Sequence, residues 1–166
     1  MADKYANQGF VKVVPTLNVL TFAELATFVS VFEKRAFLIS RIAYFFPITA
    51  YQEILASTDS VLFGLSSSDK WSEPFLGQAS VLDLNHLFAF VSGTPASGEL
   101  TAQPIVNDFS TLPGGGILVP SRPIFLFMVS AGFTAAYYLE ARIYFTVVDL
   151  KAEEYWELVE ATRLIG

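Results

Sequence analysis

Eleven residues near the C-terminus, Leu139–Asp149, constrain the fold more than any other stretch. Leu139, Ala141, Ile143, Phe145 and Val147 fall on one side of an extended chain; Glu140, Arg142, Tyr144, Thr146 and Val148 fall on the other. Side chains alternate across a strand, so this pattern predicts a half-buried strand with a mostly polar outer face. The preceding run, Ile124–Ala131, is apolar on both sides, as expected of a strand covered on both faces. Gly132 lies between them and can take the backbone angles of a tight reversal. The two runs predict a long antiparallel hairpin, turning near Gly132, at the centre of an all-β domain.

The same region must be tested against a membrane helix. Residues 123–139 carry no charge over 17 positions, the short limit for a spanning helix. Pro123 and Gly132 interrupt the run, Phe, Tyr and Val enrich it, and it leads straight into strict alternation. These features favour strands.

Composition says where such a domain must go. The chain has 166 residues, enough for one domain with a real core. Only 16% of them are charged while 53% are hydrophobic, and the mean hydropathy is +0.49. Ordinary domains carry roughly a quarter charged residues. The excess apolar surface is therefore expected to be buried against other subunits or lipid. Residues 1–8 are polar, so no signal peptide is expected. Without cysteine, stability rests on packing. A net charge of −6 and scattered basic residues, with Lys34 and Arg35 the only adjacent pair, argue against a nucleic-acid binder. That pair is read as a turn.

Along the chain, residues 1–16 form an N-terminal arm, in which Phe10, Val11, Val13 and Val14 can pair with a sheet edge before Pro15. Residues 17–46 fit two patterns. One has strands over residues 26–33 and 36–46 around a turn at Lys34 and Arg35, ended by Pro47. The other has a helix from Thr21, with Glu24 completing a capping box. Residues 51–56 are a short strand or helical turn, and residues 60–65 a strand before the loop at Ser66 to Asp69. Residues 71–80 are irregular. Residues 81–91 form a strand with Leu82, Leu84, His86, Phe88 and Phe90 on one face. After a loop over residues 92–98 come short strands at residues 103–109 and 117–119, separated by Pro113 and three glycines. The sum is eight strands without βαβ alternation, a sandwich or barrel. Residues 17–150 make up this body, and residues 151–166 a C-terminal helix and tail. In that helix Tyr155, Leu158, Val159 and Thr162 lie on one stripe among Glu153, Glu154, Glu157 and Glu160, with Asp149 available as its N-cap. Arg163 suits its C-terminal end. Trp156, at the stripe's margin, packs on its own domain or anchors a neighbouring subunit.

Chemistry-bearing motifs are missing. His86, the sole histidine, is read as satisfied in or near the core. One histidine and no cysteine make a poor zinc site, and no nucleophile elbow accompanies the serines. Asp59 and Asp69 have no calcium-loop spacing around them. Pro113-Gly114-Gly115-Gly116 lacks the Lys-Ser/Thr and helix of a phosphate loop. No enzyme activity, metal or cofactor is expected.

The Gly-rich loop running into Ile117-Leu118-Val119-Pro120, then Ile124–Ala131, then residues 139–150, together resemble the end of a viral single jelly-roll capsid protein. Small capsid subunits of icosahedral viruses with an internal membrane are similar in size and in lacking a basic arm. The resemblance implies a single eight-stranded jelly-roll sandwich with a short C-terminal helix, two facing four-stranded sheets, and self-assembly into an icosahedral shell in the virion. It implies a second capsid protein or the internal membrane as further partners, and no direct nucleic-acid binding. Subunit contacts are expected at Tyr155, Trp156 and Val159 of the helix and at Phe10 and Val11 of the arm. The alternative is a β-sandwich that binds carbohydrate or a receptor, as a spike domain does, with Trp71 or Trp156 stacking on the ligand.

Overall fold

The computed structural model describes residues 7–25, 34–56, 59–70, 80–88, 104–120 and 122–164. Among these residues the fold is mostly β, with nine strands in two antiparallel sheets and two helices. The strands are β1 (Asn7–Val13), β2 (Thr21–Leu25), β3 (Arg35–Phe45), β4 (Ser60–Ser66), β5 (Val81–Phe88), β6 (Ile105–Asp108), β7 (Ile117–Pro120), β8 (Ile124–Ala131) and β9 (Leu139–Asp149). Helix α1 (Ile48–Ala56) follows β3, and α2 (Ala152–Leu164) follows β9. The expected strand at residues 26–33, the irregular residues 71–79 with Trp71, and residues 89–103 lie outside the described residues.

One sheet has the order β1-β9-β3-β6, with β7 on the same side of β3 as β6; the other has the order β2-β8-β4-β5. β6 faces Arg41 to Tyr44 and β7 faces Ala36 to Ile39, so the two short strands lie end to end along one edge of β3. The pairing is nested: β1 with β9, β2 with β8, β3 with β6 and β7, and β4 with β5. Two further pairings, β3 with β9 and β4 with β8, join the ladder into sheets.

β8 and β9 do not form the hairpin expected of them. Both are strands, but β8 pairs with β2 and β4 while β9 pairs with β1 and β3. The seven residues between them carry the chain from one sheet to the other. The physical reason lies in their faces. β9 buries one face only, and β8 buries Leu126, Phe127 and Met128 in succession, so each needs neighbours on both edges that a hairpin partner alone would not supply. Gly132 does permit the departure, with φ +88; a Cβ there would also strike the Asp59 carboxylate.

The core lies between the sheets. The five-stranded sheet contributes Val11, Val13, Phe37, Ile39, Ile42, Tyr44, Val119, Leu139, Ala141 and Ile143. The other contributes Leu25, Val61, Phe63, Leu65, Ile124, Leu126 and Met128. Aromatic edges meet faces across it, Tyr44 on Phe63 at 5.0 Å and Phe46 on Phe63 at 4.9 Å. Ala50 and Ile54, one turn apart on α1, close one end together with Phe133.

Partners distant in sequence decide three local features. In β3 the inward residues are Phe37 and Ile39, then Ile42 and Tyr44, because a bulge at Ser40 changes the parity. Ser40 stays bonded: its carbonyl accepts the Phe109 N–H at 2.8 Å and its hydroxyl donates to the Tyr144 carbonyl at 3.3 Å. At Thr21 the chain is strand, paired with Met128, not the start of a helix. Asp149 is not a helix cap either. It is still paired in β9, where it accepts the Arg35 Nε–H at 2.9 Å, and Glu154 instead accepts the Lys151 N–H at 3.0 Å, as in a capping box.

Candidate assembly surfaces

Strand register places three connecting segments at the same end of the sandwich. β1 ends at Val13 opposite Leu139, β3 ends at Phe45 opposite Glu140, and β8 ends at Ala131 opposite Ser60. Residues 14–20, α1 and the crossing at residues 132–138 therefore share that end, and side chains clip them together. Asn18, with φ 55, donates its backbone N–H to Ser130 Oγ at 3.2 Å and its amide to the Phe133 carbonyl at 3.1 Å. Ser130 donates back to Asn18 Oδ1 at 3.1 Å. On the other flank, Glu53 of α1 accepts the hydroxyl of Thr134 at 2.6 Å and the Thr134 backbone N–H. Thr134, and then Tyr137, hold the Glu53 carboxyl below its usual range.

Among polar residues such as Thr16, Thr49 and Gln52, this end presents several large apolar side chains to solvent. Val14, Leu17 and Val19 stand out from the β1–β2 connection, Ile48 and Leu55 from α1, and Tyr138 from the crossing. Val14 is 69% exposed. Such a gathering on an ordered scaffold is a candidate interaction surface. Sequence reading passed over it because these residues sit in connections rather than in a periodic run. The available signal was Val14, Leu17 and Val19 standing in a connection beside Pro15 and Asn18, where turn residues ordinarily prevail.

The five residues expected at subunit contacts divide. Val11, Tyr155 and Val159 are buried within the chain, Val11 in the core and the other two on the face of α2 that packs against the body near β7. Phe10 and Trp156 are 57% and 59% exposed. They belong to different surfaces. Phe10 stands on the outer face of the five-stranded sheet, across from Arg142. Trp156 stands on α2 at the opposite end from α1, since β9 runs between them.

The outer face of the five-stranded sheet is polar and aromatic in alternation. Lys12 pairs with Glu140 at 3.3 Å and lies 3.8 Å from the centre of the Tyr138 ring. Arg41 lies 5.8 Å over Tyr144, opposite Asp108, and Arg142 lies 5.6 Å over Phe45. The scattered cations of the sequence are thus partly collected by register.

At the edge where β5 approaches β6, Asp83 is a polar joint between the sheets. Its Oδ2 accepts the Tyr44 hydroxyl at 2.6 Å and the amides of Asn107 at 2.8 Å and Asn85 at 2.9 Å. Burial, and then the neighbouring carboxylate, push the Tyr44 hydroxyl well above its usual range, so it remains a donor. The odd residues of β5 therefore face inward, opposite Phe63 and Leu65. His86 is consequently not a core residue. It is exposed on the outer face beside Phe88, 4.9 Å between ring centres. Among the described residues no three metal-ligating side chains converge, and no helix is long and apolar enough to cross a membrane. The uncharged run at residues 123–139 is β8 and the crossing.

Compared with protein-family models, curated proteins and solved structures, the chain matches none.

Proposed function

We propose that this protein is a structural subunit of an icosahedral virus capsid, with a jelly-roll fold, and that it works by self-assembly in the virion. The nested strand pairing supports the fold reading. Counted as one interrupted strand, β6 and β7 bring the number to eight, paired first with last, second with seventh, third with sixth and fourth with fifth. A ladder of that kind wound into two sheets is the pairing expected of a jelly roll, and supports that reading.

The observation that carries the functional reading is the apolar end. Three connections are fixed to one another by Asn18 and Glu53, and hold Val14, Leu17, Val19, Ile48 and Leu55 out to solvent. A flexible loop would lose affinity on ordering; this surface is ordered beforehand. Copies meeting through their ends around a symmetry axis would bury it. A second capsid protein or an internal membrane would cover what the copies leave, and the net charge of −6 leaves genome packaging to other components.

The test is the assembly state by light scattering on a sizing column, with negative-stain images of the same peak. Wild type is expected as rings or shells. The double substitution Val14→Asp and Val19→Asp, both at exposed positions, is expected to leave a folded protein that no longer closes into shells. A wild-type monomer whose stability responds to a sugar or receptor fragment would replace this reading with that of a binding module.

A further inference from the structure

Helix α2 turns Tyr155 and Val159 inward, so Glu153, Trp156, Glu157 and Glu160 form its outward stripe, and all four are exposed. A tryptophan among three carboxylates is an unusual group to leave in water. It is also badly placed to meet an arbitrary patch of a second copy, because the chain carries 16 acidic and 10 basic residues. The outer face of the five-stranded sheet carries three cations against two carboxylates, Glu140 paired with Lys12 and Asp108 opposite Arg41. Lys12, Arg41 and Arg142 are exposed there between Phe10, Phe45 and Tyr144, and the two guanidinium groups are already held over aromatic rings. Arginine stacks on tryptophan and pairs bidentately with carboxylates, so both elements of the stripe find partners on this face. The dimensions agree: the 13-residue helix is about 20 Å long, and four strands span about 15 Å between outer axes. Within one subunit the two surfaces do not cover each other, since Trp156, Arg41 and Arg142 are all exposed.

We infer that copies of this chain dock head to tail, the Glu153, Trp156, Glu157 and Glu160 stripe of one subunit lying on the Arg41 and Arg142 face of the next. The inference rests on the assembly reading and names the lateral contact within it. Such a contact is heterologous and propagates into a ring or a lattice.

Charge reversal tests it directly. Arg41→Glu with Arg142→Glu makes both surfaces acidic; Glu157→Arg with Glu160→Arg makes both basic. Each double variant alone is expected to need at least about tenfold more protein to assemble than wild type. Mixed in equal amounts they are expected to assemble again, because each stripe then meets a face of opposite sign. That recovery also shows that both variants fold. Lys34→Glu with Arg122→Glu reverses the other basic group, near the foot of α2, and is expected to assemble as wild type does. If wild type assembles but the variants assemble equally well, or their mixture stays apart, or only the Lys34 and Arg122 variant dissociates, this contact is wrong while the assembly reading stands. A wild type that never self-associates overturns both.

Discussion

Glu53 shows how one side chain can hold a surface in shape. Its carboxylate joins α1 to the crossing between β8 and β9 through Thr134, and those bonds favour the ionised form. Because the folded-state value lies below the unfolded one, the contribution is fully present above the ordinary glutamate range, near pH 4.3. It is lost as pH falls through the depressed folded value. Glu53→Gln should therefore lower stability at pH 7 by about 1 kcal/mol or less, its partner Thr134 being exposed, and should matter less as the wild-type carboxyl protonates. Urea unfolding of both proteins at pH 7 and at pH 3.5 measures this. A difference that grows on acidification would mean that the carboxylate is not what holds the crossing. The residue scale is also where sequence reading had least to work with. His86 and Asp83 differ by one parity step in β5. Apolar alternation placed Leu82, Leu84 and Phe88 on one face with His86; Leu82 does pack against the core, but register against Phe63 and Leu65 turns Asp83 and Asn85 inward as well. Hydrogen-bond partners make a buried-side carboxylate acceptable, and two of the three, Tyr44 and Asn107, are distant in sequence.

Elements were legible wherever the chain follows a simple period. β9 keeps its alternation for its whole length, and β8, β4 and most of β3 stand where apolar runs predicted them. Pairing was not legible, because adjacency in sequence favours a hairpin while closure of two sheets requires the chain to cross. The bulge at Ser40 was hidden for a similar reason: nothing in Ile39-Ser40-Arg41 marks it without β9 opposite. Gly64 is the element-scale residue with the sharpest consequence. A Cβ there would lie 1.9 Å from the Asp83 carbonyl oxygen and 3.0 Å from the tip of the Phe127 ring. The backbones of β4 and β5 and the fully buried Phe127 are thus packed around the missing side chain. Gly64→Ala must part β5 from β4, at a cost of about 1–3 kcal/mol, the usual range for overpacking. Hydrogen exchange should show β5 amides opening first, while β9 and β3 keep their protection. Uniform loss across both sheets, or no loss, would contradict this account of the close approach.

For the whole molecule, the two surfaces differ in the physics that would hold a neighbour, and salt separates them. The apolar end gains from burying Val14, Val19, Ile48 and Leu55, a term that added salt does not screen. The contact between α2 and the five-stranded sheet depends on carboxylates meeting Arg41 and Arg142 at exposed positions, and the Debye length shrinks from about 10 Å at 0.1 M salt to about 3 Å at 1 M. Raising sodium chloride over that range should therefore take particles apart in one stage only. Lateral contacts fail while copies joined through their ends stay together, so large particles give way to small rings, not to monomers. Sedimentation velocity at both salt concentrations distinguishes the cases. Monomers at 1 M would mean that the apolar end holds nothing without the lateral contact. Particles unchanged at 1 M would mean that the lateral contact is held by buried apolar area, with Phe10 and Trp156 rather than the charges as its working parts.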